Sequence, residues 1–240
     1  MKTLTLTVAI LALTAALAGA ETLRVGTEGA YPPFNFLNDK NEVDGFEREL
    51  GDELCKRAGL TCEWRTNDWD SLIPGLAGGR FDVIMAGMTI TAEREKLIDF
   101  TQNYLPPAES VYVARNADAD LVQGPIAVQS GTIQEGYVEA SGAKLVQFAT
   151  ADETVAAVRN GDAVAVLSDH DYIAPIVQES NGELTIVGDP VAIGDGIGIG
   201  MRKADGALKE KLSTAIQSVK DDGSLNAMIR KWFGDTAKTF

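Results

Sequence analysis

Histidine occurs once in this 240-residue chain, at His170, and cysteine twice, at Cys55 and Cys62. A lone histidine without a second close cysteine pair is a poor start for a tetrahedral metal site. No Ser-His-Asp arrangement and no phosphate-binding loop stands out either, so the usual signatures of hydrolases and nucleotide enzymes are missing. His170 is read as a structural or surface residue, and no metal or cofactor is expected. Basic residues are also scarce: 21 Lys and Arg face 35 Asp and Glu, a formal net charge of −14. That balance argues against binding nucleic acid or an anionic membrane and leans towards a cationic or zwitterionic solute. Solubility alone would account for much of it. Long apolar runs are absent after residue 17, so no direct membrane insertion of the body of the chain is expected. The glycine run GDGIGIG at residues 194–200 lacks the GxGxxG spacing of a dinucleotide site.

The one apolar run lies at the start. Residues 1–20, MKTLTLTVAILALTAALAGA, combine one Lys, an apolar stretch over residues 4–17 and a small-residue ending. They read as a cleavable secretory signal, too short and alanine-rich for a comfortable membrane anchor. The body is therefore expected to begin near Glu21, outside the cytoplasm, and no Cys follows the expected cut to carry a lipid. In an oxidising compartment the close pair Cys55 and Cys62 reads as a disulfide. So short a loop makes it a local staple of about 2 to 3 kcal/mol in the chain-entropy view.

Hydrophobic periodicity gives alternating strands and helices. LRVGT (residues 23–27) is a short strand, followed by a loop rich in Gly and Pro. Phe46, Leu50 and Leu54 then mark a helix that Gly59 ends. TCEWR is a strand, residues 69–76 a short helix, and DVIMAG a further strand. A second series begins with IAVQSGT, passes to a helix from Thr132, and continues with a Thr150 and Glu153 capping box and the buried strand AVAVLSD. IGIGMR then leads to a helix bearing Leu208, Leu212, Ala215 and Val219. Ser224 is expected to cap the last helix, with Leu225, Met228, Ile229 and Trp232 facing the core. Two similar βα series imply an α/β protein of two lobes, each a mostly parallel sheet flanked by helices. Residues 106–113 and 190–201 read as two hinge connections, which would let the lobes close on a ligand. The expected division is a leader over 1–20, a first lobe over 21–108, a second over 109–193, and a return through the hinge to the first over 194–240.

The most informative stretch is residues 82–100, DVIMAGMTITAEREKLIDF. A small apolar strand ends on Gly87, delivers Thr89, and turns at a helix N-cap, Thr91, into a segment carrying Arg94. A hydroxyl, backbone amides, a helix N-terminus and a bidentate guanidinium at one point suit a carboxylate. The competing reading pairs Arg94 with Glu95 or Asp99 on a solvated helix, where ion pairs do little. Asp169 ends the buried strand AVAVLSD, where a carboxylate calls for a cationic partner unless it merely caps the following helix. Tyr31 and Trp69 are either core aromatics or, at βα loops, flat walls for methylene groups and cations.

These pieces occur in the order GTEGAYPPFNF, GFERELGDELCKR, NDWDSLIPGLAGGRFDVIMAGMTITAERE, VQSGTIQ, LSD and DGSLNAMIRKWFG. Over nearly the whole body the chain resembles the polar amino-acid-binding branch of the periplasmic solute-binding proteins that feed ABC importers. With Cys55 and Cys62 it is most similar to lysine/arginine/ornithine- and histidine-binding members and their opine-binding relatives. The resemblance implies that Arg94, Thr89 and the backbone amides of Thr89 and Thr132 hold an α-carboxylate. Asp169 and the carbonyl of Gly87 would take the α-ammonium, and Tyr31 and Trp69 would flank the side chain. Glu28 and Gln134 would lie towards its far end, with Glu28 meeting a polar or cationic tip. Where such proteins often carry serines before the strand end this chain has Ala86 and Gly87, which removes a hydroxyl and leaves room for a larger ligand such as an opine.

The function so implied is non-catalytic: a monomeric periplasmic receptor captures a polar, basic L-amino acid, closes, and is recognised by the membrane permease of an ABC importer. A cyclohexadienyl dehydratase-like enzyme on the same scaffold is the alternative, with Glu28, Asp169 or Asp171 as its acid. A third possibility is a sensor protein that presents its ligand to a separate signalling partner.

Overall fold

The structure, a computed structural model, describes residues 20–240, so the leader reading lies, apart from Ala20, outside the described residues. Strand β1 (Glu21–Thr27) buries Leu23 and Val25 and leads into three short strands, β2 (Ala30–Tyr31), β3 (Asn35–Leu37) and β4 (Val43–Asp44), which form a small antiparallel sheet. Helix α1 (Phe46–Ala58) follows, with Phe46, Glu47, Leu50 and Leu54 buried at helical spacing. Gly59, in the left-handed region at φ 68°, ends it and accepts the turn into β5 (Leu60–Thr66). A Cys55–Cys62 disulfide, with Cα atoms 5.8 Å apart, ties the end of the helix to that strand. The short helix expected at residues 69–76 is a tight 3₁₀ turn, Trp69–Ser71, running into α2 (Leu72–Ala77). Strand β6 (Val83–Ile84), helix α3 (Ala92–Leu97) and strand β7 (Asp99–Leu105) complete this part. The expected strand DVIMAG thus pairs over only two residues, because its later residues bend away into the turn at Gly87, where φ is 64°.

The second series comprises β8 (Glu109–Ala114), β9 (Pro125–Gln129), α4 (Ile133–Ser141), β10 (Lys144–Phe148), α5 (Ala151–Asn160), β11 (Ala165–Asp169), α6 (His170–Glu179) and β12 (Thr185–Ala192). Thr150 and Glu153 form the capping box at the start of α5. The chain returns through β13 (Ile197–Met201), α7 (Gly206–Asp221) and α8 (Ser224–Phe233). Gly223, not Ser224, occupies the cap position of α8; its φ of 77° suits glycine, and the Ser224 amide is taken by the Asp222 carboxylate at 2.9 Å.

Two five-stranded sheets result, ordered β5-β1-β6-β13-β7 and β10-β9-β11-β8-β12. In each, four strands run one way and one is reversed, β13 in the first and β8 in the second. The reversed strand is in both cases the one that has just crossed from the other lobe. Each is hydrogen-bonded on both sides inside its new sheet, and the crossings themselves are short, at residues 106–108 and 193–196. Among the described residues no helix is long and apolar enough to cross a membrane.

Candidate functional site

A cleft forms between the lobes where the strands β1, β6, β9 and β11 end, the place where α/β sheets gather ligand sites. Its lining includes Glu28, Tyr31, Trp69, Gly87, Thr89 and Arg94 from the first lobe. Thr132, Gln134 and Asp169 face them from the second. All nine residues singled out from the sequence therefore meet at one cavity.

Arg94 is 9% exposed. The Thr91 hydroxyl accepts the Arg94 amide at 3.2 Å, which fixes the start of α3 and aims the guanidinium inward. Its Nη1 donates to the Thr89 carbonyl at 2.8 Å and its Nη2 to the Gly131 carbonyl of the opposite lobe at 3.1 Å. The guanidinium carbon lies 5.3 Å from the Trp69 ring centroid. Neither Glu95 nor Asp99 pairs with it; the Asp99 carboxylate is held by Lys209 at 2.7 Å. Burial pulls the Arg94 pKa down to about 10, against the pull of Asp169, so the group stays cationic at neutral pH.

Asp169 occupies the cap position of α6 but its side chain makes no capping bond. One carboxylate oxygen accepts the Tyr31 hydroxyl at 2.8 Å, across the lobes, and the other accepts Gln134 Nε2 at 2.7 Å. Burial pushes this carboxyl upwards, while Tyr31, Gln134 and Arg94 hold it down. Gln134, expected beside Glu28, is thus placed at the Asp169 end, because the first turn of α4 directs it to Asp169 and to Ser110 Oγ, 3.0 Å away.

Tyr31 stacks on Tyr172 of α6, with centroids 4.2 Å apart and planes 8° from parallel. Tyr31 also packs against Phe34, with centroids 5.4 Å apart, so its ring is held on two sides by the protein itself, as one face of Trp69 is by Arg94. Thr132 caps α4 by accepting the Glu135 amide, and its hydroxyl donates to the Gln129 carbonyl at 2.7 Å. His170 is exposed, and its Nδ1 lies 3.1 Å from the carboxylate of its neighbour Asp171.

At the other end of the cleft, Glu28 Oε1 accepts Gln129 Nε2 at 2.7 Å, again across the lobes. Burial raises the Glu28 carboxyl to about 7, opposed by Gln129 and reinforced by the charges of Asp152, Asp70 and Asp68. Sequence reasoning missed Gln129; a polar residue closing the apolar run of β9 is its only signal. It missed Glu47 as well. That residue lies behind the cleft, where its carboxylate accepts the Gly87 amide at 2.7 Å. Phe46, Leu50 and Leu54 mark the buried face on which it sits.

The family model described as bacterial extracellular solute-binding proteins, family 3, matches residues 23–235. A relative from Escherichia coli (strain K12), named putative ABC transporter arginine-binding protein 2, is 32% identical over 243 residues, covering 97% of this chain and 99% of its own. A crystal structure of a periplasmic His/Glu/Gln/Arg/opine family-binding protein from Silicibacter pomeroyi in complex with lysine is 62% identical. It superposes with a TM-score of 0.90, covering 91% of this chain and 100% of that one. An ancestral amino acid-binding protein described as a precursor of cyclohexadienyl dehydratase is 30% identical with a TM-score of 0.79, covering 88% of this chain and 95% of its own.

Proposed function

Because the chain belongs to family 3 of the bacterial extracellular solute-binding proteins, we propose that it captures a basic L-amino acid in the periplasm for the permease of an ABC importer. One observation carries this reading: Arg94 and Asp169, of opposite charge, face one cavity from opposite lobes without an ion pair between them. That spacing suits a zwitterion, its α-carboxylate on Arg94, Thr89 and Thr132, its α-ammonium on Asp169 and the Gly87 carbonyl. Glu28, with Asp68, Asp70 and Asp152 around it, favours a cationic side-chain tip. Tyr31 and Trp69, which both line the cavity, would flank the methylene groups between. Closure joins charged groups from both lobes, so a ligand that satisfies both selects the closed state. Export would use the leader at residues 1–20, with the lobes dividing at 21–108, 109–193 and 194–240, and the protein acting as a monomer.

A thermal-shift series across arginine, lysine, ornithine, histidine, glutamine and opines tests the reading. A true ligand at a hundred times its Kd adds about 2.7 kcal/mol of stability. No shift with any basic amino acid would overturn it. The dehydratase alternative draws on Glu28, since a carboxyl near 7 suits a general acid. Asp169, read here as the partner of an ammonium, favours capture instead, and prephenate or arogenate incubated with the protein is expected to remain unconverted.

A further inference from the structure

The segment GFEREL contributes nothing to the cleft lining, yet its Glu47 side chain has no solvent exposure at all. Three donors converge on that carboxylate. The Gly87 amide reaches Oε1 at 2.7 Å, the Tyr104 hydroxyl reaches the same oxygen, and Asn35 Nδ2 reaches Oε2 at 2.7 Å. Asn35 Oδ1 in turn accepts the Gly29 amide at 2.7 Å. The polarity of this chain of bonds is fixed from its far end: a backbone N–H can only donate, so the Asn35 oxygen must face Gly29 and its NH₂ must face residue 47. Residue 47 must therefore offer acceptors on both arms, which only a carboxylate does.

We propose that Glu47 is a positioning residue for the cleft, an ionised brace that locks the turns carrying Glu28 and Gly87 to each other and to β7. The idea rests on the amino-acid-binding reading above, since Gly87 is there an ammonium acceptor and Glu28 the reader of the side chain. A buried carboxylate is costly unless its oxygens are hydrogen-bonded, and here both are, Oε1 by two donors and Oε2 by one. Burial pushes the Glu47 carboxyl upwards while Tyr104, Gly87 and Asn35 hold it down. Gly87 sits at φ 64°, a conformation that the bond from its amide to Glu47 helps to hold. Tyr104 is one residue from the end of β7, where the chain leaves for the other lobe. The brace thus joins both ligand-bearing turns to the root of the first crossing.

Glu47→Gln keeps the size of the side chain but points an NH₂ at the Asn35 NH₂. Turning Asn35 over moves the conflict to Gly29. The double variant Asn35→Asp with Glu47→Gln removes it. Its new carboxylate accepts both the introduced amide NH₂ and the Gly29 amide, while the introduced amide oxygen keeps Gly87 and Tyr104. Calorimetry with arginine, lysine and glutamine is expected to show Glu47→Gln weakened roughly ten- to a hundredfold for all three ligands alike. The double variant should return to within about threefold of the parent, a loss of under about 1 kcal/mol. A Glu47→Gln protein that binds as tightly as the parent overturns the proposal, and so does a double variant that folds but stays weak. Should Glu47→Gln fail to fold, recovery of both folding and affinity in the double variant supports it. Amide exchange in the unaltered protein gives a test free of variants: the Gly87 and Gly29 N–H groups should be protected although both turns border the cleft. Exchange at the rate of an open loop overturns the brace. Failure of the amino-acid reading would look different, since the unaltered protein would then bind none of the three ligands.

Discussion

The two ends of the cleft treat charge in opposite ways. At the Arg94 end burial costs the guanidinium some basicity, but at about 10 it remains fully charged in any physiological buffer. Carbonyls from both lobes and the Trp69 face hold it in place. At the Glu28 end burial, reinforced by the charges of Asp152, Asp70 and Asp68, raises the carboxyl to about 7, so its charge is conditional on what it meets. A fixed charge can grip the part that every amino acid shares. A conditional charge discriminates, because a cation restores it and a neutral side chain leaves it unfavourable.

The contrast breaks most sharply at the fixed end. Arg94→Ala is expected to cost about 3 to 5 kcal/mol of binding, roughly a hundred- to several-thousand-fold, for every amino acid tested. Asp169→Asn should rank beside it, since it deletes the charge proposed to face the ammonium while preserving the shape of the side chain. Calorimetry showing near-parental Kd values would remove either residue from the proposed roles.

Glu28→Gln sharpens the comparison rather than destroying binding. Arginine, lysine and ornithine should weaken by about 1.5 to 3 kcal/mol, the worth of a hydrogen bond to a charged group, while glutamine is spared. Equal losses for charged and neutral ligands would make Glu28 structural.

Acidity should reveal the same difference without a substitution. In the cleft as it stands burial lifts the Glu28 carboxyl to about 7. A neutral ligand that leaves it buried is expected to bind best while that carboxyl is protonated and to weaken as pH rises through about 7. A cationic ligand keeps the carboxylate charged and avoids the loss. The ratio of arginine to glutamine affinity should therefore climb between about pH 5 and 8, by at most about tenfold per unit. A flat ratio would mean that the ligand's charge never reaches Glu28.

The smallest effect on binding is expected outside the cleft. Reducing the Cys55–Cys62 bridge should lower stability by about 2 to 3 kcal/mol and leave Kd unchanged. A large affinity loss on reduction would show that β5 and the end of α1 couple to the site.

Much of this site was legible because strand ends announce themselves. Gly87 after an apolar run, Thr91 as a cap and the polar break at Asp169 are local signals; the structure places Gly87 and Asp169 on the cleft lining and Thr91 at the cap of the helix whose Arg94 lines it. What escaped was pairing at a distance. Nothing near Gln134 shows that it reaches Asp169, 35 residues away, nor near Gln129 that it meets Glu28, 101 residues away. Strands β2, β3 and β4 were also invisible, since stretches of two or three residues within a loop rich in Gly and Pro carry no period. Ser224 was a misreading of another kind: serine is the commoner cap, but a glycine beside it could adopt the positive φ that this turn requires.

The second crossing rides directly on the first. Gly196, at φ 94°, lies so close that a Cβ there would sit 2.5 Å from the Leu105 carbonyl oxygen and 2.7 Å from Asn103 Nδ2. Each crossing leaves an edge strand, β7 or β12, and enters the interior of the other sheet as β8 or β13. Packed side by side, the two spans are expected to bend together, so that a change in one shifts the opening between the lobes as a whole. Gly196→Ala would pry the paired spans apart, and solution scattering on the ligand-free protein should register it as a changed gape of the whole cleft, not as slackness on one side.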